Sequence, residues 1–193
     1  MMSHIVIISG SPTPGSRLNG LINYVESKWV ADGHKISHIR VADLPAEALL
    51  HAKFGDEAIV KAVGVVAEAD GVVIASPVYK ASYTGVLKAF LDLLPQTGLR
   101  DKIALPLFIG GSLAHLLAID YSLKPVLNAL GARNILGGVY AVDQWVERLE
   151  GGEHGLSPEL LLRLDASAAQ LVEELHWHEL KLQEKAKTAA AEQ

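Results

Sequence analysis

Cysteine is absent from the 193 residues, which removes disulfides, thiolate nucleophiles and cysteine metal sites together. Any redox chemistry must therefore come from a bound cofactor. The chain also lacks a block of Lys and Arg that could follow a phosphate backbone, and its net charge of −5 is modest and spread out. Nucleic acid is not an expected partner. No window approaches the roughly 20 apolar residues needed to span a bilayer. The start, Met1-Met2-Ser3-His4 followed by only four apolar residues, Ile5 to Ile8, has neither the basic region nor the longer apolar core of a signal peptide. A soluble cytoplasmic protein without membrane contact is the expectation.

Internal repeats and a second domain are missing as well. With 50% hydrophobic residues the chain can bury one sizeable core. Residues 1–183 are expected to form a single domain, and the Ala, Lys and Glu-rich tail 184–193 to be frayed or disordered. His176-Trp177-His178 has the look of a metal pair, but residues two apart on a helix do not face each other, so no metal site is expected.

What the chain does contain is an alternation of apolar strands and amphipathic helices. His4 to Ser9 and Gly71 to Ala75 are continuous apolar runs, as strands covered on both faces would be. Lys35 to Val41 alternates like an edge strand, Ile103 to Ile109 is another buried strand, and Asn134 to Val142 is the last. Helices are predicted from Leu18, over Glu57 to Ala69, over Thr84 to Leu94, over Leu113 to Leu130, and from Ser157-Pro158 to about Leu182. Residues 43–56 read as irregular with one helical turn. Parallel crossovers need an intervening helix, so five such strands imply a doubly wound α/β fold in three α/β/α layers. The flavodoxin-like order 2-1-3-4-5 fits best, with ligands at the carboxyl ends of strands one, three and four.

Three loops fall at those ends. The first, Gly10-Ser11-Pro12-Thr13-Pro14-Gly15-Ser16-Arg17, has Walker-like glycines, but Ser16 and Arg17 stand where Lys and Ser/Thr are required, which argues against ATP hydrolysis. The Gly-x-Gly-x-x-Gly dinucleotide pattern is absent too. What remains is a helix start with hydroxyls from Ser11, Thr13 and Ser16, the Asn19 amide and Arg17, a set suited to one terminal phosphate. The same residues would also make an ordinary strand-to-helix turn.

The second stretch is Ser76-Pro77-Val78-Tyr79-Lys80-Ala81-Ser82-Tyr83-Thr84-Gly85. Pro77, Val78, Tyr79 and Lys80 can offer backbone amides and an apolar wall to a flavin ring, or the tyrosines can simply pack in a core turn. The third, Gly110-Gly111-Ser112, lets a flat ligand approach the backbone and leads to His115, which either meets the ring or is a structural residue. Three loops at one sheet edge, each suited to part of one ligand, point to a mononucleotide with a planar base, with FMN the natural candidate. The helix 113–130 is apolar on several sides, which suits burial by another subunit. Pro125 inside it predicts a kink or π-bulge near Asp120 to Ser122.

These motifs, with Leu113-Ala114-His115-Leu116-Leu117, Asp120-Tyr121 and Lys124-Pro125, resemble the NAD(P)H-dependent FMN reductases, most of all those of alkanesulfonate assimilation. The similarity runs from about Ile5 to Val142. The resemblance implies reduction of FMN by NADPH, or NADH, and release of FMNH₂ to a two-component monooxygenase. It implies phosphate contacts at Ser11, Ser16 and Arg17, and ring contacts at Pro77, Val78, Tyr79, Lys80, Gly111 and Ser112. It also implies that Tyr121 is an inserted residue opening a π-helix at a tetramer interface near the flavin, and so part of the cofactor site, in a homo-oligomer that is a dimer or tetramer. Thr13 is a departure, since the family often has Arg there. No side chain is required as catalytic acid or base, because the flavin carries the electronic work. A flavin-retaining quinone or azo-dye reductase and a flavodoxin-type electron carrier remain as alternatives, the carrier being disfavoured by the small negative charge.

Overall fold

The computed structural model describes residues 2–191. A parallel sheet forms its middle layer. Strand β1 (His4–Ser9) lies between β2 (Lys35–Arg40) and β3 (Gly71–Tyr79), and β3 pairs in turn with β5 (Ile103–Gly110). The last position beside β5 is filled by two short strands, β6 (Asn134–Ile135) and β7 (Val139–Val142). The parallel order is therefore the expected 2-1-3-4-5, but the sheet has seven strands rather than five. One addition is the break in the fifth position. The other is β4 (Ser82–Tyr83), a two-residue strand antiparallel to the tip of β3.

The break has a chemical cause. A Cβ on Gly138 would lie 2.5 Å from the Pro106 carbonyl oxygen, so Gly138, at a φ of 75°, sits tight against a residue that has no N–H for the ladder. Pairing resumes only beyond it, with Leu107 opposite Val139.

Helices cover both faces. Along β1 the side chains alternate, Ile5 and Ile7 packing with α1 (Leu18–Ala31) and α6 (Pro158–Ala191), Val6 and Ile8 with the opposite layer. That opposite layer holds α3 (Glu57–Glu68), α4 (Gly85–Leu91) and α5 (Lys124–Ala129). Each fully buried Leu, Ile or Phe in these two cores contributes about 1.5–3 kcal/mol. Trp29 is fully buried, and its indole N–H donates to the Ala168 carbonyl, joining α1 to α6. Residues 43–56 are irregular apart from one short helix, α2 (Ala46–Leu50).

Several boundaries differ from the sequence pattern. Strand β3 continues through Ser76 and Pro77 to Tyr79, and α4 stops at Leu91 rather than Leu94. The predicted helix over 113–130 is three pieces: a 3₁₀ turn at Leu113–His115, a π-helical turn at Ile119–Leu123, and α5. The π turn encloses the expected position at 120–122, and Pro125 lies in the first turn of α5, two residues beyond its end. A hairpin of β8 (Val146–Arg148) and β9 (His154–Leu156) lies between β7 and α6. Helix α6 continues to Ala191, past the expected end at about Leu182; residues 192 and 193 lie outside the described residues. Among the described residues no helix is long and apolar enough to cross a membrane.

Candidate functional site

Parallel register brings the three loops to one edge. Ser9 lies opposite Ala75, Pro77 opposite Ile109, and Gly110 opposite Val142, so four strands end side by side. Thr84 then ties the first loop to the second. Its hydroxyl donates to the Gly10 carbonyl at 2.6 Å and accepts from the Leu87 amide at 3.1 Å, while its own amide donates to the Ser76 hydroxyl at 3.1 Å. One buried threonine thus caps α4 and fixes the spacing between loops 74 residues apart. Gly10 makes this possible, because a Cβ there would lie 2.5 Å from the Leu87 Cβ.

Within the first loop the predicted polar residues hold one another. Ser11 Oγ donates to the Thr13 carbonyl and accepts from the Thr13 amide. Ser16 Oγ accepts from the Leu18 amide at 3.2 Å, which satisfies an N–H at the start of α1. Asn19 Nδ2 donates to the Pro14 carbonyl at 2.6 Å, so Asn19 organises the loop from inside. Both serines are 8% exposed, whereas residues 12–15 between them are exposed. Arg17 is half-buried, and its Nε donates to the Val146 carbonyl at 2.9 Å.

The second stretch is a hairpin rather than a free loop. Val78 pairs with Tyr83 and Tyr79 with Ser82, and the turn residues Lys80 and Ala81 have φ of 50° and 63°. Two successive non-glycine residues in the left-handed region cost on the order of 1 kcal/mol each and are held there by the strand pairing. Pro77 is buried and Val78 half-buried, while Tyr79 is 52% exposed and Lys80 exposed at the tip. Tyr83 packs against the core, and burial raises its phenol above the usual range.

In the third stretch, Gly110 is the last residue of β5, and a Cβ on it would collide with the Tyr140 hydroxyl. That hydroxyl donates to the Ser112 carbonyl at 2.7 Å and is shifted up first by burial and then by Asp143. Ser112 Oγ accepts from the Ala114 amide. Gly111 is exposed, and a Cβ on it would have only the Asp143 carboxylate within 4.0 Å. His115 is exposed at the end of the 3₁₀ turn, and Tyr121 is 78% exposed in the π turn, which packs against β4.

The predicted residues therefore divide. Ser11, Ser16, Arg17, Asn19, Pro77, Val78, Gly110, Gly111 and Ser112 gather along one edge, and Tyr79 and Lys80 project from its hairpin. His115 and Tyr121 belong to an exposed flank continuous with Leu113, Leu116 and Leu117. The sequence pattern missed Thr84, Tyr140, Asp143 and Arg148, all of which touch this edge through long-range bonds or close approach. The spacing Thr84-x-x-Leu87 ahead of an apolar face is the one cap signal that pointed to any of them. A groove of about 560 Å³ between α1 and α6, lined by Lys28, Trp29, Asp165 and His176, lies away from all three loops.

Residues 3–147 match the model of the NADPH-dependent FMN reductase family. The chain belongs to that family. It is 47% identical over 148 residues to an FMN reductase (NADPH) of Pseudomonas putida, covering 76% of this chain and 75% of that protein. An FMN reductase (NADPH) of Escherichia coli K12 is 39% identical over 178 residues, 92% of this chain and 93% of its own length. Among solved structures, the apo form of an NADH:FMN oxidoreductase named EMOB superposes with a TM-score of 0.79 at 38% identity, over 88% of each chain. The flavodoxin-like layered fold and membership among FMN-using, nicotinamide-dependent oxidoreductases thus agree with the expectation from the motifs.

Proposed function

We propose that this chain reduces FMN at the expense of NADPH or NADH and lets the reduced flavin leave for a partner monooxygenase of the sulfonate-assimilation type. The observation that carries this reading is the carboxyl edge itself, where Thr84 locks the hydroxyl-rich first loop to a hairpin beside a glycine step. When bound there, FMN supplies the redox chemistry by taking a hydride from nicotinamide C4 at its N5.

The donor set fits the cofactor. Ser11, Ser16, the backbone amides leading into α1 and the Arg17 guanidinium would bind the phosphate, with Asn19 holding the loop closed; the Leu18, Asn19 and Gly20 amides inside α1 are already used by Ser16 and Arg17. Main-chain amides of Val78 to Lys80 that are free of the hairpin ladder, and those of Gly111 and Ser112, orient the ring edge, while Pro77, which has no N–H, adds apolar wall. Gly111 supports a close approach: nothing else in the protein calls for glycine at that point, but a planar ligand lying on the backbone does. Val78 and Tyr79 shield one side from water and leave the other open to nicotinamide. His115 and Tyr121 complete the flank. No side chain is assigned a proton transfer.

The exposed Leu113, Leu116, Leu117 and Tyr121 support a homo-oligomer, dimer or tetramer, that covers this flank, and we place the reaction in the cytoplasm. Reconstitution with FMN, followed by dialysis and a comparison of free FMN, quinone and azo acceptors at fixed NADPH, tests the reading. Loss of flavin on dialysis with free FMN as the best acceptor is expected. Retained flavin with faster quinone or azo reduction would contradict it, as would retained flavin without any nicotinamide oxidation.

A further inference from the structure

Two guanidinium groups converge on the first loop. Arg17, at the start of α1, donates from Nε to the Val146 carbonyl at one end of β8; Arg148, at the other end of β8, donates from Nη2 to the Gly15 carbonyl at 3.0 Å. The strand is three residues long and both guanidinium groups are near enough to His154 to lower its proton affinity, so two cations 131 positions apart in the chain come to one region beside the first loop. Placing like charges together without a counter-ion is unfavourable. The ion pairs among the described residues nonetheless include neither Arg17 nor Arg148, so no carboxylate stands within 4 Å of either. His154, opposite Arg148 in the hairpin, adds no compensation: burial first, then Arg148 and Arg17, lower its proton affinity.

We infer that Arg148 is a second phosphate-binding cation of the flavin site, an inference that rests on residues 10–17 being the phosphate end. A phosphate monoester carries about −1.5 to −2 charges at neutral pH, and Arg17 alone neutralises one. Arg148 uses one of its five N–H donors on Gly15, and its exposed position leaves the rest free to meet the outer phosphate oxygens. The same bond to Gly15 holds the loop in the shape that presents its amides. The β8–β9 hairpin therefore belongs to the binding site, although it lies beyond the last strand of the sheet.

The test compares FMN with riboflavin, which lacks the phosphate, in fluorescence titrations of the wild type, R148A, R148K and R148Q. Expected are an FMN preference in the wild type, a loss of about tenfold in FMN affinity for R148A with riboflavin affinity unchanged, and a preference kept by R148K but not by R148Q, which retains a donor without the charge. A wild type that does not distinguish FMN from riboflavin would overturn the phosphate reading of the loop, and this inference with it. A wild type that does distinguish them, with an R148A ratio that is unchanged or both affinities falling together, would leave that reading standing and overturn the role of Arg148.

Discussion

The edge of the sheet has a tied side and an open side. On the tied side, Gly10, Ser76 and Thr84 are buried and share a closed set of hydrogen bonds, and Gly110 is fitted against the Tyr140 hydroxyl that secures Ser112. On the open side, Leu113, Leu116, Leu117 and Tyr121 present apolar surface from a run that changes from 3₁₀ to π to α within seventeen residues, from Leu113 to Ala129. The difference assigns the two sides different tasks. A ligand that must be held in a fixed pose needs the first, where geometry is set before binding. The apolar flank, irregular and uncovered in the single chain, is the surface that the proposed homo-oligomer would cover.

The most damaging change to this contrast is Gly10→Ala, because its Cβ would meet the Leu87 Cβ at 2.5 Å, an atom that cannot rotate away. Thermal or urea denaturation should show a loss of about 3 kcal/mol, at the upper end for overpacking; a loss under about 1 kcal/mol would mean that α4 yields easily. Thr84→Val keeps the shape but removes the donor to the Gly10 carbonyl and the acceptor for the Leu87 amide. A cost of about 2 kcal/mol is expected, with weaker FMN binding as the first loop drifts from the second.

Acid should act on the tied side through His154. Its folded-state pKa lies below the ordinary 6.5 because of burial, then Arg148 and Arg17. A group lowered on folding contributes stability above its unfolded pKa and loses it as pH falls through that value toward the folded one. Melting temperature should therefore drop as pH goes below 6.5, and less so in His154→Gln, compared across a pH series. An identical drop in both proteins would assign the acid sensitivity to other groups. The smallest effect on folding belongs to the open side. Tyr121→Ala, at a residue 78% exposed, should change unfolding free energy by no more than about 0.5 kcal/mol. It should instead alter assembly by sedimentation or FMN retention after gel filtration, and no change in either would remove Tyr121 from the interface.

Much of this architecture was legible because it depends on local pattern. The unbroken apolar runs of β1 and β5 announce strands covered on both faces, and Pro125 marks the helical irregularity that appears as a π turn at 119–123. Crossover geometry implies the doubly wound parallel sheet, whereas the order of its strands is not carried by spacing and rests on the flavodoxin-like arrangement that fits five strands best. The errors fall where distant contacts decide. Ser76 to Tyr79 carry loop-forming residues, yet they continue β3 because β5 on one side and β4 on the other supply partners. Thr84 stands at the start of a predicted helix with nothing local to show that its hydroxyl meets Gly10, and nothing around Arg148 shows that it reaches Gly15. Neither partnership leaves a periodic trace in the chain.

Exchange of FMN at the tied edge is checked by anaerobic stopped-flow mixing of the protein with NADPH and free FMN in large excess over the protein. Nicotinamide absorbance should keep falling until the free FMN is consumed, many equivalents per chain. Oxidation that stops at one equivalent of nicotinamide per chain, with the free FMN left oxidised, would contradict it.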